Sequence, residues 1–478
     1  MSSTETARQP ADPRHRATRP SPSPRPGTVV QLVARRLHFL AGIVVAPFLA
    51  VLCLTGLVYV FSPQIHDSLY HSDLHVNRVG DTTRPLAEQV RAALTAHPEA
   101  TLKQVLTPPA PDRTTRVVLS VPGPAGTPDR TVFVDPYTGF INGELATVEN
   151  RLPANTWLRQ LHSNLHLGAA GRLYAELAAS WVPLIALGGL ALWLARTRRK
   201  RKLREVLLPA VRGKTGWQRL RAVHGAAGLW LTLGLLVVSG TGLAMTQFAG
   251  GRGDQAVDPI HLRAPVLAAM PVPVPPGASP IDLDRAVAAA GLSGELAVVP
   301  PSAPGMPFTV AETGEGLPMH RGAVAVDPYT GGVTERLGWD DYSLVAKLST
   351  FGTEFHTGTL FGLANQLVLA VLAAATLVLL ALGYRMWWIH NPYRGRWASL
   401  PRPVWRQLRG PWLSAVLLGV AVLAWLLPVF GASLVVFVLL DAGLTRLRAA
   451  GTRRTRDSQV QVRTVGVGDN RVRGREQP

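Results

Sequence analysis

Four histidines fall at matched positions in two halves of one 478-residue chain: His38 with His224, and His162 with His356. Around the first pair a constant offset of 186 also matches Arg35 with Arg221, Gly42 with Gly228, Thr55 with Thr241, Gly56 with Gly242 and Leu57 with Leu243. Around the second, an offset of 194 matches Gly168 with Gly362, Gly189 with Gly383 and Trp193 with Trp387. Imidazoles in or beside apolar segments, with no acidic neighbour at catalytic spacing, suit axial ligation of a haem iron. The cores of helix bundles are where such cofactors are held. Imidazole must be neutral to bind a metal, which also avoids burying a charge in lipid. The cofactor expected is haem b, two per chain: one between His38 and His224, the other between His162 and His356.

Arg35 and Arg221, one helical turn before the first pair, can meet haem propionates or serve only as topology anchors. Gly42 and Gly228, one turn after it, let either a flat ring or another helix approach the backbone. Against the haem reading stands the ordinary one, in which a lone histidine near a helix end is interfacial and binds nothing. Four histidines in repeated register outweigh it. His166 lies one turn after His162 but has Leu360 as its counterpart, so it is a reserve ligand. His390 has no matching histidine, and His66, His71, His75 and His320 are expected to be solvated. His162 precedes the clearly apolar part of its helix by about ten residues, or roughly 15 Å of helical rise. An outer haem there is expected at or above the membrane interface, with His166 about one turn deeper.

The elements that must position these side chains are apolar runs long enough to cross a bilayer, which takes about 20 residues. Residues 31–61 form the first membrane helix, 161–196 the second, 217–248 the third and 353–390 the fourth. Between the first two lies an outer module, 62–160, and between the last two another, 249–352. Each reads as a small α+β domain: a helical run, short β-type runs, and a turn spelled identically, Asp135-Pro136-Tyr137-Thr138-Gly139 and Asp327-Pro328-Tyr329-Thr330-Gly331. Residues 411–447 read as a helical hairpin of two further spans. The stretches 1–30 and 448–478 are expected to be disordered, and 197–216 and 391–410 to be cytoplasmic loops. The fold expected is a predominantly α-helical integral membrane protein with duplicated helix–module–helix halves, a repeat specific enough to be read before the fold.

The net charge of +19 is uneven: segments 1–36, 196–221, 385–409 and 446–475 hold 33 of the 49 Lys and Arg. Basic residues beside spans stay on the cytoplasmic side, so both termini are expected inside, and the charge reports contact with the lipid bilayer rather than nucleic acid. The single cysteine, Cys53, excludes a disulfide framework and a cysteine-ligated metal cluster within one chain. No glycine fingerprint for a dinucleotide and no His-Glu-x-x-His is present. The broken helices and paired buried carboxylates of transporters are missing from the pattern.

The chain resembles the PepSY-associated transmembrane family of bacteria. The likeness rests on Arg35-Arg36-Leu37-His38, Thr55-Gly56-Leu57, Leu161-His162 with Leu167-Gly168 and Gly171-Arg172, Phe355-His356 with Leu360-Phe361-Gly362, and the two Asp-Pro-Tyr-Thr-Gly turns. It covers about residues 31–447, and the outer modules look like PepSY domains. Members include inner-membrane ferric-siderophore reductases that carry haem in the bundle. The resemblance implies ligands at His38, His224, His162 and His356, a location in the bacterial cytoplasmic membrane, and a haem-dependent ferric-chelate oxidoreductase. Its electron donor would be a quinol or a separate reductase, its acceptor a ferric siderophore. The alternative is a non-catalytic PepSY protein that regulates a peptidase or senses the envelope, which has no use for histidines in register.

Overall fold

The computed structural model describes residues 26–197, 203–258, 263–390, 411–440, 442–443 and 446. The expected cytoplasmic loop 391–410 and tail 448–478 lie outside the described residues, as do residues 1–25 and 198–202 of the other expected disordered or loop segments.

Helix α1 (Pro26–Tyr59) begins inside the stretch expected to be disordered. Three more long helices follow: α6 (Gly168–Thr197), α8 (Gly216–Ala244) and α12 (Leu363–His390). These four are long and apolar enough to cross a membrane. Helix α1 packs on α6 and α12, and α8 packs on the same two, so α1 and α8 face each other diagonally across the bundle. Tyrosine hydroxyls tie the ring together: Tyr174 Oη donates to the Phe48 carbonyl at 2.9 Å and Tyr384 Oη to the Ile43 carbonyl at 2.8 Å. Two shorter apolar helices, α13 (Pro411–Leu426) and α14 (Pro428–Leu440), occupy the expected hairpin. A Cβ on Gly431 would stand 2.7 Å from that of Ala424, so the chain doubles back there. The returning arm buries Phe430 against Trp181, whose indole N–H donates to Ser433 Oγ at 2.9 Å.

The second and fourth spans are not continuous with their lead-ins. A separate helix, α5 (Pro153–Asn164), ends where Leu165 and His166 turn left-handed (φ 52° and 56°), and α6 starts afresh at Gly168. Gly171 permits the tight return, because a Cβ there would fall 1.7 Å from the Asn164 carbonyl oxygen. In the other half α11 (Leu344–Thr357) is capped by left-handed Gly358 before α12 begins.

The two expected α+β modules share one sheet. Strands β1 (Thr101–Leu106), β2 (Thr115–Ser120), β3 (Asp129–Val134) and β4 (Ile141–Thr147) come from the first. Strands β5 (Leu296–Val299), β6 (Phe308–Glu312), β7 (Ala323–Val326) and β8 (Val333–Leu337) come from the second. The order is β4-β3-β2-β1-β5-β6-β7-β8, antiparallel throughout. Pairing β1 with β5 satisfies two strand edges that separate domains would leave open. One face is covered by helices α4 (Leu86–Ala96) and α10 (Leu283–Ala290), which bury Val105, Val117, Val132, Val298, Val310 and Val324. On the other face Phe133 packs with Leu74 and Leu152. The strands bury residues on both faces, and so read as continuous apolar runs rather than clean alternation. Asp284, at the start of α10, accepts from the N–H groups of Leu86 and Ala87 at 2.7 and 3.1 Å, capping α4 of the other module.

Candidate histidine pairs in the bundle

His38 on α1 and His224 on α8 point at each other across the bundle, their ring centroids 6.2 Å apart and their planes inclined at 74°. His38 Nδ1 lies 2.7 Å from the Ile185 carbonyl oxygen, and His224 Nδ1 lies 3.1 Å from that of Leu379. A carbonyl can only accept, so each Nδ1 carries the proton and each Nε2 keeps its lone pair. Both carbonyls belong to helix interiors and are reached because a glycine follows four residues later. A Cβ on Gly189 would meet His38 Cε1 at 2.9 Å, and one on Gly383 would meet His224 Cε1 at 3.5 Å.

His162 on α5 and His356 on α11 form the second pair, with centroids 6.5 Å apart and planes at 45°. Here threonines take the place of the helix carbonyls. Thr55 Oγ1 donates to the Val51 and Leu52 carbonyls at 3.0 and 3.1 Å, and so accepts from His162 Nδ1 at 3.0 Å. Thr241 Oγ1 does the same for His356 at 3.1 Å, donating to Val237 and Val238. Glycines again make room: a Cβ on Gly56 would lie 3.2 Å from His162 Cε1, and one on Gly242 2.8 Å from His356 Cε1. Tyr59 lies parallel to the His162 ring, 6.1 Å away at 2°. Burial, with some repulsion from His356, pushes the His162 pKa down to about 4, and burial also lowers that of His356. Both rings are therefore neutral near pH 7, the form that can ligate a metal.

These distances pass a simple geometric test. A metal–imidazole bond of about 2 Å and about 1.1 Å more to the ring centre would put two imidazoles on opposite sides of one ion about 6.2 Å apart, centre to centre. The observed 6.2 and 6.5 Å are close to that span. Fixing Nδ1–H to a carbonyl or hydroxyl is what orients a histidine toward a metal through Nε2.

The breaks in the second and fourth spans change where the second pair sits. Because α5 folds back beside α1, His162 stands at the level of Thr55, inside the end of the first span, rather than ten residues above it. Thr55 is seventeen residues beyond His38 on α1, so the two pairs are separated by about 25 Å along the helix axis. His166 is set apart from both pairs: it occupies the left-handed link, is exposed, and packs on Trp157 with centroids 4.9 Å apart. Its role as a reserve ligand falls with the continuous helix that suggested it. Arg35 and Arg221 are exposed at the end of the bundle nearest the first pair, and the Arg221 guanidinium lies 4.9 Å over the Trp217 ring. Neither Gly42 nor Gly228 is a packing contact, since a Cβ on either would meet nothing within 4 Å.

Sequence reasoning found the histidines but gave no role to Thr55, Thr241, Gly56, Gly242, Gly189 or Gly383. All six were visible as matched positions, and the signal overlooked was that each half repeats the support of its rings as well as the rings. A family model described as "PepSY-associated TM region" matches residues 35–390. No curated protein matches the chain.

Proposed function

The chain belongs to the PepSY-associated TM family, and from that premise we propose that it is a multi-pass membrane haem protein that moves electrons between the two faces of a membrane. The observation that carries this reading is the pairing itself. Two couples of imidazoles stand 6.2 and 6.5 Å apart, ring centre to ring centre, each with Nδ1 engaged and Nε2 left to bind. Haem iron gripped by two imidazoles supplies reversible one-electron oxidation and reduction. Everything else is the work of the chain. Ile185, Leu379, Thr55 and Thr241 hold the proton on Nδ1, and Gly189, Gly383, Gly56 and Gly242 leave the rings space to turn. Arg35 and Arg221 offer positive charge for propionates beside the first pair.

A separation of about 25 Å along α1 is close to the roughly 30 Å hydrocarbon thickness of a bilayer. It supports one redox site near each face. The basic segments beside the spans support a reading with the His38 end in the cytoplasm of a bacterial cell and the sheet outside it. The acceptor on the sheet side would then be a ferric chelate such as a siderophore, reduced by one electron to the ferrous form, with a quinol or a separate reductase as donor. Assay of haem as its pyridine haemochrome, on detergent-purified protein expressed with ample haem, should give two haems per chain. Replacing His38 and His224 together should leave one, and replacing all four should leave none. A protein without Soret absorbance would overturn the reading, and envelope function intact in the fourfold variant would favour a regulatory role for the sheet.

A further inference from the structure

A second cluster of ligand-type side chains lies outside the bundle, immediately after the first span. Helix α2 (Ser62–Leu69) carries Asp67, α3 (His71–Leu74) begins with His71, and His75 follows it. One ligand atom from each of Asp67, His71 and His75 lies within 4.8 Å of the others. Ligands about 2.0–2.2 Å from a common ion stand roughly 3–4 Å apart, so small side-chain rotations suffice to close the set. The imidazoles of His71 and His75 already stack, with centroids 4.2 Å apart.

Their sequence context predicts solvated rings, as His71 shows. His75 is instead 16% exposed and held from both sides: Nε2 is 2.9 Å from Asp67 Oδ1 and Nδ1 is 3.2 Å from Asp112 Oδ2. A carboxylate behind a histidine, with the other ring nitrogen facing a second acid, is the arrangement that orients an imidazole for a metal. An ion-pair network alone would account for His75, Asp67, Asp112 and Arg113, whose guanidinium also meets Asp67 Oδ1 at 2.7 Å. It does not account for His71, whose ring makes no hydrogen bond or ion pair among the described residues and is nonetheless stacked into the cluster.

The backbone beneath is pinned. Thr114 Oγ1 donates to the Asp73 carbonyl at 2.9 Å, Asn142 Nδ2 donates to those of Ser72 and His75 at 3.2 and 2.7 Å, and Val76 N–H donates to that of Asp112 at 3.0 Å. A site held by sheet residues loses little freedom when an ion binds.

We propose that Asp67, His71 and His75 bind a divalent first-row transition-metal ion, with Asp112 as the residue that positions His75. Two imidazoles and one carboxylate favour Zn2+, Cu2+ or Fe2+ over the hard ions Mg2+ and Ca2+. The site is half exposed, so ions exchange freely with solvent. It stands independently of any haem in the bundle.

The test uses full-length, detergent-purified protein without a polyhistidine tag, stripped with chelator and titrated with Zn2+ by calorimetry. The wild type should show a saturable 1:1 site, and Zn2+ should raise its Tm by linkage. His71→Ala removes an exposed ring and should fold normally, yet lose the site and the Tm shift. Asp112→Asn should weaken binding about 10–100-fold. His97→Ala, at the end of α4 beside Glu144, should bind as the wild type. Comparison among variants removes any contribution from the bundle histidines. Absence of 1:1 binding, or a His71→Ala protein that binds Zn2+ as tightly as the wild type, would overturn the proposal.

Discussion

Replacing Thr55 by Val isolates the part the hydroxyl plays at the second histidine pair. Valine keeps the shape of threonine, so packing in α1 is preserved and only the acceptor for His162 Nδ1–H, now at 3.0 Å, is removed. Leaving a buried N–H without a partner costs about 1–3 kcal/mol. Loss of the group that orients a metal-bound histidine weakens metal affinity by about 10–100-fold. The two figures agree, since a factor of ten is about 1.4 kcal/mol. The assay is transfer of haem to an excess of a scavenger protein, followed in the Soret band. With Thr55→Val, half of the amplitude should leave about 10–100 times faster, while the half held by His38 and His224 keeps its rate. Thr55→Ser retains the hydroxyl and should behave as the wild type. Unchanged rates in Thr55→Val, or equal losses in the Ser and Val variants, would refute the argument that the hydroxyl sets the tautomer.

Gly242→Ala places a Cβ 2.8 Å from His356 Cε1 and should displace the ring and empty one haem site, whereas Gly383→Ala, at 3.5 Å from His224, should be tolerated; haem per chain distinguishes them. In haem-free protein, burial holds the His162 pKa near 4 against about 6.5 in the unfolded chain, so the unfolded state binds more protons between those values. Stability should be level above pH 6.5 and fall as pH drops toward 4, by on the order of 3 kcal/mol at most, and thermal melts of His162→Ala should lack that component of the slope. Asp284→Ala removes the cap on α4 from the neighbouring module and should lower stability by about 1 kcal/mol without changing haem content, as read by limited proteolysis alongside the haemochrome assay.

The paired histidines of the bundle were legible because the chain states them twice, and the four spans because their apolar runs are long. The break before α6 was not legible. Leu165 and His166 turn left-handed although neither is glycine, an unfavourable choice held by Asn164 Oδ1, which accepts from His166 N–H at 2.9 Å. The second half signals its break plainly, with glycine at 358 and 362. Reading that half first would have separated α5 from α6 and drawn His162 down to Thr55. The joining of the modules was beyond reach for another reason. Strands β1 and β5 are nearly two hundred residues apart, and nothing in the sequence of either names its partner.

Where β1 meets β5, Val105 pairs with Val298 and Leu106 with Ala297, a reciprocal exchange between residues that occupy equivalent places in their modules. Each histidine pair also draws one ring from either side of the same dividing line. A molecule split between the halves at the segment joining α6 and α8 would thus keep every contact needed for isologous assembly. Co-expressed as two polypeptides, the halves should find each other, and neither alone should bring together both rings of any pair.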